Sequence, residues 1–82
     1  MYEIYYSKNA HKTLKKLEKK DQEKIISVLE RARIRPEKHF EKLIGTTAYK
    51  LRAGNYRIIA DIYNKELKIL IIKVGHRRNI YK

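Results

Sequence analysis

Apolar residues follow two rhythms along the chain, and the change between them falls near its middle. Tyr2 to Tyr6 alternates weakly and is rich in strand-favouring side chains, which predicts a short strand. Ser7 is suited to cap a helix start. Ala10, Leu14 and Leu17 then fall at i, i+4 and i+7, one helical stripe with lysines filling most of the remainder. Asp21 reads as a second N-cap, with Glu23 complementing the dipole of the helix it opens. Ile25, Ile26, Val28, Leu29 and Ala32 form the next stripe, and Pro36 stops that helix after a run of arginines. Two helices with almost no loop between them predict an antiparallel hairpin.

Residues 37–46 read as a connector, with Gly45 near its end. The period then drops from about 3.6 to about 2. Thr47 to Ala53 sets Ala48, Lys50 and Arg52 on one face and Tyr49, Leu51 and Ala53 on the other. Gly54-Asn55 is a two-residue turn, since both residues tolerate positive φ. Tyr56 to Tyr63 is the next strand, with Arg57, Ile59, Asp61 and Tyr63 sharing a face. Asn64-Lys65 turns again into Leu67 to Val74, which is nearly continuous apolar and so predicts a central strand ended by Gly75. The expectation is one α+β domain over residues 1–82, in the order β-α-α-β-β-β. Its four-stranded antiparallel sheet carries both helices on one face and leaves the other open. Leu14, Leu17, Ile25, Leu29, Ile58, Ile69 and Ile71 are the expected core.

Charge changes the picture from fold to partner. The chain has 21 Lys and Arg against 9 Asp and Glu, a net +12, which points to phosphate polyanions or an acidic protein. A 43% hydrophobic fraction in 82 residues still supports a small core, so the chain is not read as a disordered basic tail. Absence of cysteine excludes a disulfide scaffold, a thiol nucleophile and thiolate metal ligands. No apolar run approaches the roughly 20 residues of a membrane span, and Met1-Tyr2-Glu3-Ile4 does not open a signal peptide. These features predict a soluble cytoplasmic protein with no membrane partner.

Two groups of residues carry candidate chemistry. Residues 8 to 20 hold six lysines and one acid, Glu18. A helix braced by i,i+4 ion pairs would balance the two signs, so Lys8, Lys12, Lys15, Lys16 and Lys19 read either as a solvated helix face or as an electrostatic footprint for RNA or DNA, and the imbalance favours the footprint. The second group lies in the sheet half: Lys50, Arg52, Arg57, Arg77 and Tyr81, polar residues among apolar strand positions. A cationic site holding a phenol suits RNA cleavage. The substrate brings its own nucleophile, the 2′-OH. The protein orients it, neutralises the phosphorane and protonates the leaving 5′-oxygen. His11, His39 and His76 are scattered, so no metal site and no cofactor is expected.

The segments Tyr49-Lys50-Leu51-Arg52-Ala53-Gly54-Asn55-Tyr56-Arg57-Ile58-Ile59 and Val74-Gly75-His76-Arg77-Arg78-Asn79-Ile80-Tyr81 resemble the RelE/ParE toxin superfamily, over the whole chain. That resemblance implies the toxin of a type II toxin–antitoxin pair, neutralised by an acidic, RelB-like cognate antitoxin. RelE-like members are endoribonucleases (mRNA interferases) that cut mRNA against ribosomal RNA in the decoding site. Carried over by position, the family's roles make Tyr81 the general base and Arg57 and Arg77 the charge stabilisers. Lys50 becomes a phosphate-neutralising or base-assisting group. Arg52, His76 and Arg78 are further RNA contacts. RelE proper tends to have two lysines on the strand where this chain has Lys50 alone. Two other classes remain open: a ParE-like inhibitor of DNA gyrase, which needs only surfaces, and a non-catalytic RNA-binding module with stacking aromatics. Joint retention of Arg57, Arg77 and Tyr81 favours the nuclease.

Overall fold

The computed structural model describes residues 1–76. Strand β1 (Glu3–Tyr6) leads into helices α1 (Lys8–Lys16) and α2 (Lys19–Ala32), followed by a 3-10 turn at Pro36–Lys38. Strands β2 (Glu41–Lys42), β3 (Tyr49–Ala53), β4 (Tyr56–Tyr63) and β5 (Lys68–His76) complete one sheet in the order β1-β5-β4-β3-β2. The α+β class agrees with the sequence, the six expected elements occur in the expected order, and β5 is internal, as its two-faced apolar character requires.

Four details differ from expectation. The sheet is mixed, because β1 runs parallel to β5 with Glu3 opposite Lys68 and Tyr6 opposite Ile71. An antiparallel pair follows from a tight hairpin, and these two strands are joined by no hairpin. Both instead start at the same end of the sheet, where the Glu3 amide donates to Leu67 O at 2.8 Å. The end of α2 is tied there too, by the Tyr2 amide on Arg33 O at 3.0 Å and Arg33 Nε on Tyr2 O at 2.8 Å. The connector supplies a fifth strand, β2, together with buried Pro36 and Phe40. Strand β5 runs on through Gly75 to His76. Finally, Glu18 rather than Asp21 occupies the N-cap of α2, with no side-chain cap bond. Asp21 lies in the first turn and accepts from the Tyr56 hydroxyl at 3.1 Å.

The core lies between the helices and the sheet. Helix α1 packs on β5 and β1, and α2 lies over β3, so the two helices spread across one face of the sheet. Leu14, Ile25, Leu29, Ile58, Ile69 and Ile71 are buried as expected. Leu17 is only half-buried, because it has left the helix and serves as the C-cap of α1. A β-bulge between Ile59 and Ala60 pairs them with Lys73 and Ile71, so Ile72 is skipped. The skip restores alternation: Ile71 and Val74 both face the helices, and Lys73 faces out. Lys73 is thereby accommodated among the apolar residues at the middle of the strand.

Candidate functional site

The β3–β4 hairpin builds the site. Gly54 sits at φ +62, a conformation that favours glycine, and closes the turn tightly. The resulting register sets Arg52 directly opposite Arg57 and Lys50 opposite Ile59. Paired residues share a face, so Lys50, Arg52 and Arg57 all lie on the sheet face away from the helices. Like charges placed directly opposite one another are destabilising on a bare sheet. Register therefore concentrates positive charge on this face. On the other side of β4, Gly75 stands opposite Arg57, so no side chain of β5 covers that position.

The third wall comes from the connector. Strand β2 places Glu41 opposite Lys50, and their charged ends lie 3.8 Å apart. With His39, which follows the 3-10 turn, these residues and Leu51 enclose a cleft of about 380 Å³. A shallower groove of about 690 Å³ continues past Glu41, Lys50 and Arg57 to Leu43, Ile44 and Thr46. His39, Glu41 and the Leu43–Thr46 loop were not identified from sequence. The available signal was Gly45-Thr46 set between Leu43 and Ala48, which has the form of a short hairpin turn.

The other sequence candidates lie elsewhere. Lys8, Lys12, Lys15, Lys16 and Lys19 are exposed on the helix layer, across the sheet from the cleft, and form a separate basic surface. His76 pairs with Tyr56, on the helix side of the sheet, and meets its ring edge-on at 5.6 Å between centroids. It is thus not brought to the face that carries Arg57. The neighbouring Tyr56 phenol is held above its ordinary pKa, first by burial and then by its hydrogen bond to Asp21. Arg77, Arg78 and Tyr81 lie outside the described residues. No helix among the described residues is long and apolar enough to cross a membrane.

Comparison with known proteins decides the family. Residues 4–81 match the family model for the ParE toxin of type II toxin–antitoxin systems, parDE. The chain belongs to the ParE toxin family. It is thereby a member of the RelE/ParE superfamily and the toxin of a type II toxin–antitoxin system. The toxin is also similar to the archaeal RelE–RelB complex from Pyrococcus horikoshii, at 28% identity and a TM-score of 0.79 over 95% of this chain and 97% of that one. The intact Escherichia coli RelBE toxin–antitoxin complex matches at 26% identity and TM-score 0.78, covering 93% and 96% of the two chains. A Mycobacterium tuberculosis complex, RelBE2, shares the fold at 20% identity with TM-score 0.85 over 93% and 98%. No curated protein sequence matches significantly.

Proposed function

We propose that this toxin is a RelE-like mRNA endonuclease that cuts ribosome-bound message by 2′-OH attack on the phosphodiester. The observation that carries the reading is the opposition of Arg52 and Arg57 with Lys50 beside them, in a cleft on the open face. Such a site gains most from a ligand that brings negative charge. A phosphodiester does so, and its charge grows further in the phosphorane. Arg57 supplies a planar donor fork suited to two phosphate oxygens, and Lys50 supplies a compact positive charge. Arg77 and Tyr81 are assigned the second charge stabiliser and the general base. The 2′-OH proton passes to the base, the 2′-oxygen bonds to phosphorus, and the 5′-oxygen leaves with a proton. Water need not take part, so the products are a 2′,3′-cyclic phosphate and a 5′-hydroxyl.

The reading includes an acidic cognate antitoxin, because both the P. horikoshii and E. coli relatives are found with RelB partners. A chain of net +12 favours fast capture by such a partner. A second reading, inhibition of DNA gyrase, is favoured by the match to the ParE family model. Primer extension on translated mRNA after induction separates the two. New 5′ ends in translated message that vanish with Arg57→Ala support the nuclease. Intact message together with loss of gyrase supercoiling by the purified toxin would move the gyrase reading to first place.

A further inference from the structure

The loop between β2 and β3 is tightly built for so small an element. The Leu43 amide donates to Ala48 O at 3.0 Å, and the Ala48 amide donates to Thr46 Oγ1 at 3.1 Å. Gly45 holds φ +79, in the left-handed region, where a side chain would be strained. At the crest of this turn Ile44 is 101% exposed, more than any other large apolar residue described. It supports no part of the core. It does line the groove that runs back to Lys50 and Arg57.

We propose that Ile44 is a positioning and specificity residue for the RNA substrate, packing on the nucleobase beside the phosphate held at Lys50 and Arg57. This inference rests on the nuclease reading. A branched alkyl group offers no hydrogen bond, so its only useful partner is an apolar face. An RNA strand seated by its phosphate on the two cations presents a base to the groove wall on either side of that phosphate. The base is the part of a nucleotide with an apolar face, and a purine presents a larger one than a pyrimidine, so packing on it discriminates by buried area. Turn hydrogen bonds at Leu43, Thr46 and Ala48 fix the backbone that carries Ile44, so the turn itself needs little ordering on binding. The contact forms equally in the bound substrate and the transition state, and it acts on KM rather than kcat.

The test uses ribosomes programmed with short mRNAs that differ only at the nucleotides flanking the cut. Wild-type toxin, Ile44→Thr and Ile44→Val are compared. Ile44→Thr keeps the branch at Cβ and thus the local backbone preference. It is expected to raise KM roughly tenfold, the scale of a lost alkyl contact, and to flatten the preference among flanking nucleotides. Its kcat, Tm and affinity for the antitoxin should stay at wild-type values, and Ile44→Val should stay close to wild type throughout. Wild-type KM and preference in Ile44→Thr would overturn the inference. So would an Ile44→Thr defect confined to antitoxin affinity, which would make the loop a protein contact. Absence of cleavage by the wild-type toxin would sink the nuclease reading, and this inference with it.

Discussion

The Ser7 hydroxyl donates to the carbonyl of Ile72 at 2.7 Å, and the same oxygen accepts the Ala10 amide at 3.0 Å. The Ser7 amide donates to the preceding carbonyl, Ile71 O, at 2.8 Å. One residue therefore caps α1 and satisfies two successive carbonyls of β5 at its bulge. That bulge sets the phase of everything after Ile72: it turns Lys73 outward, returns Val74 to the core and sets Gly75 opposite Arg57. A helix cap at one end of the chain is thus bonded to the strand beside the candidate site at the bulge where its register shifts.

Ser7→Ala should destabilise the protein by about 1–2 kcal/mol, from the lost cap together with the carbonyl left without its donor. Ser7→Thr, which keeps the hydroxyl, should recover most of this. Urea unfolding followed by circular dichroism measures both. A change within about 0.5 kcal/mol, typical of an uninvolved surface site, would remove Ser7 from this role.

Arg57→Ala should lower the rate of cleavage of ribosome-bound mRNA by roughly a hundredfold to a thousandfold, the usual effect of removing one charge-stabilising donor. Arg77→Ala and Tyr81→Phe should each also slow the reaction, the latter testing proton transfer apart from stacking. Circular dichroism serves as the folding control. Wild-type rates in all three variants would contradict the assignment.

Lys8→Ala and Lys12→Ala should leave the chemical step unchanged. Their side chains lie on the helix layer, across the sheet from Lys50 and Arg57. Each should weaken RNA or ribosome affinity modestly and reduce the salt slope by about one, as expected for one lost phosphate contact. Binding titrations at several salt concentrations read this out. An altered kcat would place these lysines in the site after all.

Stability should fall at alkaline pH. The Tyr6 phenol is raised first by burial, with Glu30 adding to the effect and Arg33 opposing it, and Tyr56 is raised by burial and by Asp21. A phenol raised in the folded state stays protonated there while the unfolded chain ionises near its ordinary value of about 10. Its contribution is fully present below that value and is lost as pH rises through the folded pKa. Thermal unfolding between about pH 8 and about pH 11 should show the decline, shallower in Tyr6→Phe and in Tyr56→Phe. Equal slopes in all three proteins would exclude these phenols as its source.

Periodicity alone determined the order of the two helices and four longer strands, the faces of β3 and β4, and most of the core. Side-chain burial repeats with the backbone, and Ile58 could satisfy its strand on only one face, whereas the structure decided that Ile69 and Ile71 rather than Leu70 and Ile72 face the helices. Lys50, Arg52 and Arg57 were legible for the same reason, since Gly54-Asn55 fixes the hairpin that aligns them. Non-local geometry decided the rest. The parallel pairing of β1 depends on where two helices return the chain, which no local pattern encodes. Glu41 joins the site only because β2 finds β3, a two-residue pairing too short to carry a period. His76 and Gly75 are neighbours in sequence, yet the sheet sends one to the helix side with Tyr56 and sets the other opposite Arg57. Successive strand residues alternate between faces, and only the register across the bulge decides which of them meets the cleft.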